Sequence, residues 1–141
     1  MPMNRINHAA AIVGAVAYFV WGSIWFMVFG KQWLALLNRA PGVMPGGTTP
    51  YVIAVLMALV LSYGTAIALS HNDERTAAHG VQFGIFMGIA FVASNMLTGF
   101  EYEGRPIGLW LIDAGYVVIG MAIVGAIIGG WKKRPAAVPP S

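Results

Sequence analysis

The stretch that decides the fold is YVIAVLMALVLSYGTAIALS, residues 51–70, which contains no charged side chain. A helix of about 20 apolar residues is long enough to cross the roughly 30 Å hydrocarbon core of a bilayer. Such a segment must be helical, because a backbone inside lipid has to satisfy its own N–H and C=O groups. The stretch is therefore predicted to be a transmembrane helix.

Three further stretches of the same kind occur, one before it and two after it. Two are uncharged, and the last contains a single acidic residue, Asp113. We predict an all-α integral membrane bundle that forms a single domain of four transmembrane helices. The predicted helices cover residues 9–30, 51–70, 80–100 and 107–131, and a basic, proline-rich tail covers residues 132–141.

Composition supports this class and excludes others. Of the 141 residues, 58% are hydrophobic and only 9% are charged, against about 25% charged residues in an ordinary soluble domain. The chain has no cysteine, which excludes disulfides, thiolate metal sites and cysteine catalysis. No phosphate-binding loop, nucleophile elbow, metalloprotease motif or dinucleotide fingerprint occurs. We therefore expect no enzymatic activity, cofactor, metal or nucleic-acid partner.

The connections between the stretches are short or rich in helix breakers. Pro41, Pro45 and Pro50 interrupt the first connection, so it cannot be one continuous helix. Its first part, KQWLALL, is expected to lie as a short helix along the membrane interface. The two later connections are short and polar, which makes consecutive helices antiparallel neighbours.

The distribution of basic residues predicts the orientation. Loops that carry more lysine and arginine stay in the cytoplasm. An even number of crossings places both termini on one side, and that side holds more of the basic residues. It carries Arg5, Arg75, Lys132, Lys133 and Arg134, whereas the other side carries Lys31, Arg39 and Arg105. Both termini are predicted to be cytoplasmic, in a bacterial inner membrane.

Glycines recur at helical spacing in the third and fourth predicted helices. Small residues on one face let two helix backbones approach closely inside a membrane. The pattern has two interpretations: packing within one bundle, or packing against another subunit. The glycines predicted to pack are Gly80, Gly84, Gly88, Gly125 and Gly129. On an ideal helix the face of the third stretch continues through Phe91, Asn95 and Thr98.

Asp113 is the one acid inside a predicted membrane segment. A charge at the bilayer centre costs about 2.5–3.5 kcal/mol on insertion scales, and such residues often have a function. Asn95 lies at a similar depth on the neighbouring antiparallel helix, so we predict an Asn95–Asp113 hydrogen bond. Tyr116 follows Asp113 by three residues and lies on the same general side of the fourth predicted helix. Together with Trp25, these residues form a candidate intramembrane polar cluster, either a structural clamp or a ligand or proton site.

Aromatic residues are dense in the first predicted helix. Tyr18, Trp21 and Trp25 fall on one face, which indicates either packing and lipid contact or a wall for a flat apolar ligand such as a pigment or quinone. The three histidines, His8, His71 and His79, fall at predicted membrane ends. There they are expected to be solvated rather than to bind haem.

Two motifs resemble a known family. The stretch WGSIWFMVFGKQW, residues 21–33, resembles the first-helix signature of the bacterial membrane family catalogued as domain of unknown function 1761. The stretch LWLIDAGYVVIGMAIVGAIIGGW, residues 109–131, resembles its last helix, which places Asp113, Gly115 and Tyr116 on motif positions. The resemblance implies a small multi-pass bacterial membrane protein without an established activity.

Three functional hypotheses follow from these features. The first is a non-catalytic structural or accessory protein that associates with itself or with a larger membrane complex. The second is a small transporter or ligand-binding bundle that uses Asp113. It resembles small multidrug exporters in size, but its first helix lacks their membrane glutamate. The third and weakest hypothesis is a pigment or haem binder.

Overall fold

The computed structural model describes residues 6–40 and 47–132. These residues form four helices and no strand. The helices are α1 (His8–Leu36), α2 (Thr49–Leu69), α3 (Ala77–Tyr102) and α4 (Ile107–Gly130), and each is long and apolar enough to cross a membrane. The all-α prediction of four transmembrane helices is confirmed. The predicted basic tail lies outside the described residues except for Lys132.

Local sequence signals determine where α1 begins and ends. The Asn7 side chain accepts a hydrogen bond from the Ala10 N–H at the start of the helix, as an N-cap does. Asn38 ends the helix in a left-handed conformation with φ of 57°, a role that asparagine tolerates well. The segment KQWLALL was predicted to be a separate interfacial helix. This is wrong: residues 31–36 form the last turns of α1, because no proline separates them from the preceding helix and Gly30 is accommodated within it.

The fourth helix lies at the centre of the arrangement. α4 contacts α1, α2 and α3, and α1 also packs against α2. Consecutive helices run antiparallel, so the bundle has two ends. We call the end with His8, Arg75 and Lys132 the basic end, and the end with Leu36 and Ile107 the distal end. The main core lies towards the basic end and is built from small and branched side chains, including Ala10, Ala11, Ala66, Val124 and Ile128.

The glycines of α3 pack against α4 of the same chain. A Cβ atom added at Gly80 would overlap the Gly125 carbonyl group, and one added at Gly84 would overlap the Met121 carbonyl group. At Gly88 it would lie 3.1 Å from the Val118 Cα. The described residues therefore place this stripe inside the bundle, where it permits direct backbone contact between two helices.

A π-helical segment, Gly88–Ala93, interrupts α3. Its extra residue rotates the remainder of the helix relative to an ideal α-helix. Ala93 is consequently buried, whereas Phe91 and Asn95 are exposed. The Trp110 indole N–H donates to the Ala93 carbonyl oxygen over 2.9 Å and so ties this segment to α4. The predicted continuation of the glycine face through Phe91, Asn95 and Thr98 is therefore wrong, since all three residues are exposed.

α2 is attached to the bundle mainly near the basic end. The buried Ser62 hydroxyl donates to the Ala11 carbonyl oxygen of α1 over 2.5 Å, and Ala58 and Ala66 are also buried. In contrast, every residue of α2 from 51 to 57 is exposed. The large side chains among them are 45% to 56% exposed. The distal part of α2 therefore stands away from the rest of the bundle.

Candidate functional site

Three tryptophans of α1 donate hydrogen bonds to α4. The Trp21 indole N–H donates to the Tyr116 carbonyl oxygen over 3.1 Å, and that of Trp25 donates to the Ile112 carbonyl oxygen over 3.0 Å. The Trp33 indole donates to the Asp113 Oδ1 over 2.9 Å. Each four-residue step advances only about 40° around an α-helix, so the three residues lie on one broad side of α1, the side that packs against α4. We call these three residues the indole ladder.

Aromatic contacts fill the space around the ladder. Trp25 and Phe29 have ring centroids 4.5 Å apart. Tyr116 of α4 lies between two rings of α1, with its centroid 5.3 Å from Phe26 and 5.2 Å from Tyr18. Aromatic pairs at such distances add stabilisation beyond the area that they bury. The wall formed by α1 and α4 is thus held by both packing and hydrogen bonds.

Glycines create the room that these rings occupy. A Cβ atom added at Gly22 would lie 2.9 Å from the Tyr116 ring, and one at Gly115 would lie 3.1 Å from the Trp25 ring. At Gly120 it would lie 2.5 Å from the Tyr18 ring. Each small residue therefore faces an aromatic residue on the opposite helix. Except for Tyr18, the residues named here belong to the motif stretches quoted from α1 and α4.

Three residues of the predicted polar cluster, Asp113, Tyr116 and Trp25, lie along the α1–α4 interface, where each has a partner outside the cluster. Asn95 lies away from this interface. The Asn95 side chain is exposed and its amide donates to the Phe91 carbonyl oxygen of its own helix over 3.5 Å. The predicted Asn95–Asp113 hydrogen bond is therefore wrong, because the π-helical segment turns Asn95 away from α4.

Sequence reasoning missed the partner that Asp113 does have. Trp33 was assigned to an interfacial segment, and the continuation of α1 brings it to the half-buried carboxylate. The signal was available in the chain, since aromatic residues at positions 21, 25, 29 and 33 recur every four residues. That spacing already indicated one helix running through position 33.

A cleft of about 590 Å³ lies between α1 and the distal part of α2. Tyr18 and Tyr116 line its inner part, Phe26 and Trp33 line the α1 wall, and Tyr51 of α2 lines the opposite side. Most of the lining is aromatic or aliphatic. The Ser23 hydroxyl also lines it, but donates to the Phe19 carbonyl oxygen within α1. Asp113 is bonded to Trp33 and does not itself line the cleft.

The histidines lie away from this cleft. The His8 Nδ1 is 3.0 Å from the Tyr63 hydroxyl oxygen at the basic end. His71 and His79 are exposed near the same end. Within residues 6–40 and 47–132, no three histidine, aspartate or glutamate side chains gather in a group that could hold a metal ion.

These features define the class as a multi-pass α-helical membrane protein with four spans. The model of the family described as a protein of unknown function, DUF1761, matches residues 9–129, and the chain belongs to this family. The match covers both motif stretches up to residue 129, including Asp113, Gly115 and Tyr116, and confirms the resemblance. No curated protein and no solved structure matches the chain.

Proposed function

We propose that this protein is a non-catalytic binding protein that takes a mainly apolar small molecule from the bilayer into the α1–α2 cleft. The cleft itself is the observation that carries the proposal. Its volume of about 590 Å³ falls in the range of about 300–1,000 Å³ that is typical of small-molecule sites. Its predominantly apolar and aromatic lining is also typical of such sites.

The two walls of the cleft differ in how firmly they are held. The α1 wall is tied to α4 by the indole ladder, so Phe26 and Trp33 keep a defined position. The α2 wall, residues 51–57, is exposed at every position that the structure describes there. A flat apolar molecule could therefore enter from the lipid beside α2 and stack on a preformed aromatic wall, which reduces the ordering cost of binding.

Asp113 acts on this site through Trp33. Its carboxylate accepts the indole N–H and thereby sets the angle of a ring that lines the cleft. In this proposal Asp113 is a positioning residue and does not touch the ligand. A transporter would use the same cleft, with exchange of the bound molecule between the two membrane surfaces.

Gly30 offers a direct test. It lines the cleft, and a Cβ atom added there meets no atom within 4 Å. Gly30→Leu should fill the cleft without disturbing the helices. Gly64→Leu is the matched control, because Gly64 also has open space around it but does not line the cleft.

The measurement is native mass spectrometry after extraction in a mild detergent. Wild-type protein and Gly64→Leu should carry the same bound small molecule, and Gly30→Leu should lose it. Equal loading of all three proteins, or no bound small molecule in the wild type, would contradict the proposal. Absorption spectra of the same samples test the pigment or haem alternative, which the placement of the described histidines does not favour.

A structural or self-associating role is the second candidate. The observation that favours it is the exposure of residues 51–57 around the whole circumference of α2. A second copy or a larger membrane complex would cover this surface. The native mass spectra separate the two candidates. The mass of an oligomer or a partner complex without a small molecule supports association, whereas a monomer with a bound small molecule supports binding.

We also propose that the protein resides in a bacterial inner membrane with both termini in the cytoplasm. Arg75 and Lys132 lie at the end that would face the cytoplasm. The sequence adds Arg5, Lys133 and Arg134, which lie outside the described residues. A reporter that works only in the cytoplasm should be active when it is fused after Ser141. Activity there of a reporter that works only outside the cytoplasm would exclude this orientation.

A further inference from the structure

An arginine is buried at the basic end of the bundle, in the loop between α2 and α3. Arg75 is only 6% exposed. Its Nη1 donates to the Asn72 carbonyl oxygen over 3.2 Å. Its Nε is buried and has no hydrogen-bond partner among the residues that the structure describes.

Among the residues that the structure describes, no salt bridge accompanies this buried charge. A guanidinium group stays protonated in proteins and offers five N–H donors. Burial of such a group is costly unless an anion and further acceptors accompany it. Within residues 6–40 and 47–132, an ion pair joins Arg105 and Glu103 near the distal end, and none involves Arg75. The two acidic side chains of the loop, Asp73 and Glu74, are themselves exposed.

A second cation and the N-terminus of a helix lie at the same loop. The Lys132 Nζ donates to the Asp73 carbonyl oxygen over 2.9 Å, which brings a second cation to the loop. α3 begins at Ala77, two residues after Arg75, and the N-terminus of a helix attracts anions. The Thr76 hydroxyl caps only the His79 N–H of that first turn.

The position of the loop indicates where the anion comes from. The loop connects the ends of two helices that are long and apolar enough to span a membrane, so it lies at the level of the lipid headgroups. We propose that Arg75, supported by Lys132 and the N-terminus of α3, binds the phosphate group of an anionic phospholipid. This site is separate from the α1–α2 cleft and does not depend on the function proposed for the cleft.

Titration of the purified protein with phosphatidylglycerol in a mild detergent tests the proposal. Bound lipid is counted by native mass spectrometry. Arg75→Gln removes the charge with little change in length, and Arg39→Gln makes the same change at an exposed residue towards the distal end. Loss of a charge-assisted hydrogen bond should weaken binding about tenfold in Arg75→Gln. Binding to Arg39→Gln should match the wild type.

Two further arms make the result decisive. Inorganic phosphate is titrated against the lipid-bound wild type. If it displaces phosphatidylglycerol, the site is confirmed as a phosphate site at which free phosphate competes with lipid. Arg75→Lys keeps the charge but lacks the guanidinium Nε, so it should bind lipid less tightly than the wild type. This variant replaces Arg75→Gln in the test if Arg75→Gln does not fold. Equal lipid affinity in the wild type and an Arg75 variant, or no saturable binding to the wild type, would overturn the proposal.

Discussion

The Trp33 indole N–H, near the end of α1, donates to the Asp113 carboxylate of α4 over 2.9 Å. This bond joins α1 to α4. We call this bond the clamp. The sequence predicted the partner of Asp113 on the third helix, whereas the structure places it on α1. The same bond sets the angle of the Trp33 ring, which lines the α1–α2 cleft.

The clamp should depend on an acceptor at position 113 rather than on a charge. Asp113→Asn keeps a side-chain oxygen that can accept from Trp33, whereas Asp113→Leu removes it. Hydrogen bonds between membrane helices contribute about 0.6 kcal/mol on average and up to about 1.7 kcal/mol. We expect Asp113→Leu to lose stability of this order and Asp113→Asn to lose less. Unfolding in mixed detergent measures both, and equal losses would show that the charge itself matters.

The indole ladder should contribute through its N–H groups as well as its rings. Trp25→Phe keeps an aromatic ring but removes the donor to the Ile112 carbonyl oxygen. We expect a loss of about 0.5–1.5 kcal/mol in the free energy of unfolding. Trp131→Phe is the control, since Trp131 is 44% exposed. A loss at position 131 as large as that at position 25 would assign the effect to ring size alone.

The close contact of α3 with α4 should not tolerate a side chain at Gly84. Leucine there would overlap the Met121 carbonyl group, so Gly84→Leu should separate the two helices and sharply reduce the yield of folded protein. Gly99→Leu is the matched control on the same helix, because a Cβ atom added at Gly99 meets no atom within 4 Å. Size-exclusion chromatography in detergent reports the outcome, and a monodisperse Gly84→Leu protein would contradict it.

The attachment of α2 should depend on Ser62. Its buried hydroxyl donates to the Ala11 carbonyl oxygen of α1, so Ser62→Ala should destabilise the protein by about 0.6 kcal/mol or more. Ser94→Ala provides the comparison, because the exposed Ser94 hydroxyl donates to the Ala90 carbonyl oxygen within its own helix. Thermal unfolding followed by circular dichroism should show the larger shift for Ser62→Ala. The reverse order would place the attachment of α2 elsewhere.

Much of the candidate site could be predicted, and the part that could not has an identifiable cause. Asp113, Tyr116 and Trp25 follow from their residue types and spacing within a membrane helix. Asn95 was misplaced because helical arithmetic assumes a constant rotation per residue. One π-helical segment upstream changes that rotation for every later residue of α3. Trp33 lies beyond the predicted end of the first helix because Gly30 and Lys31 resemble a helix end, whereas α1 continues through both of them.

The sequence by itself determined four membrane crossings and the glycine faces of α3 and α4. A run of about 20 apolar residues is driven into the bilayer and into a helix by solvation alone, whatever its neighbours are. Only the tertiary structure decided that α4 lies at the centre, that Trp33 is the partner of Asp113, and that the distal part of α2 leaves a cleft. These features depend on how each helix is rotated and tilted against the others. Such rotations are set by contacts between residues far apart in the chain.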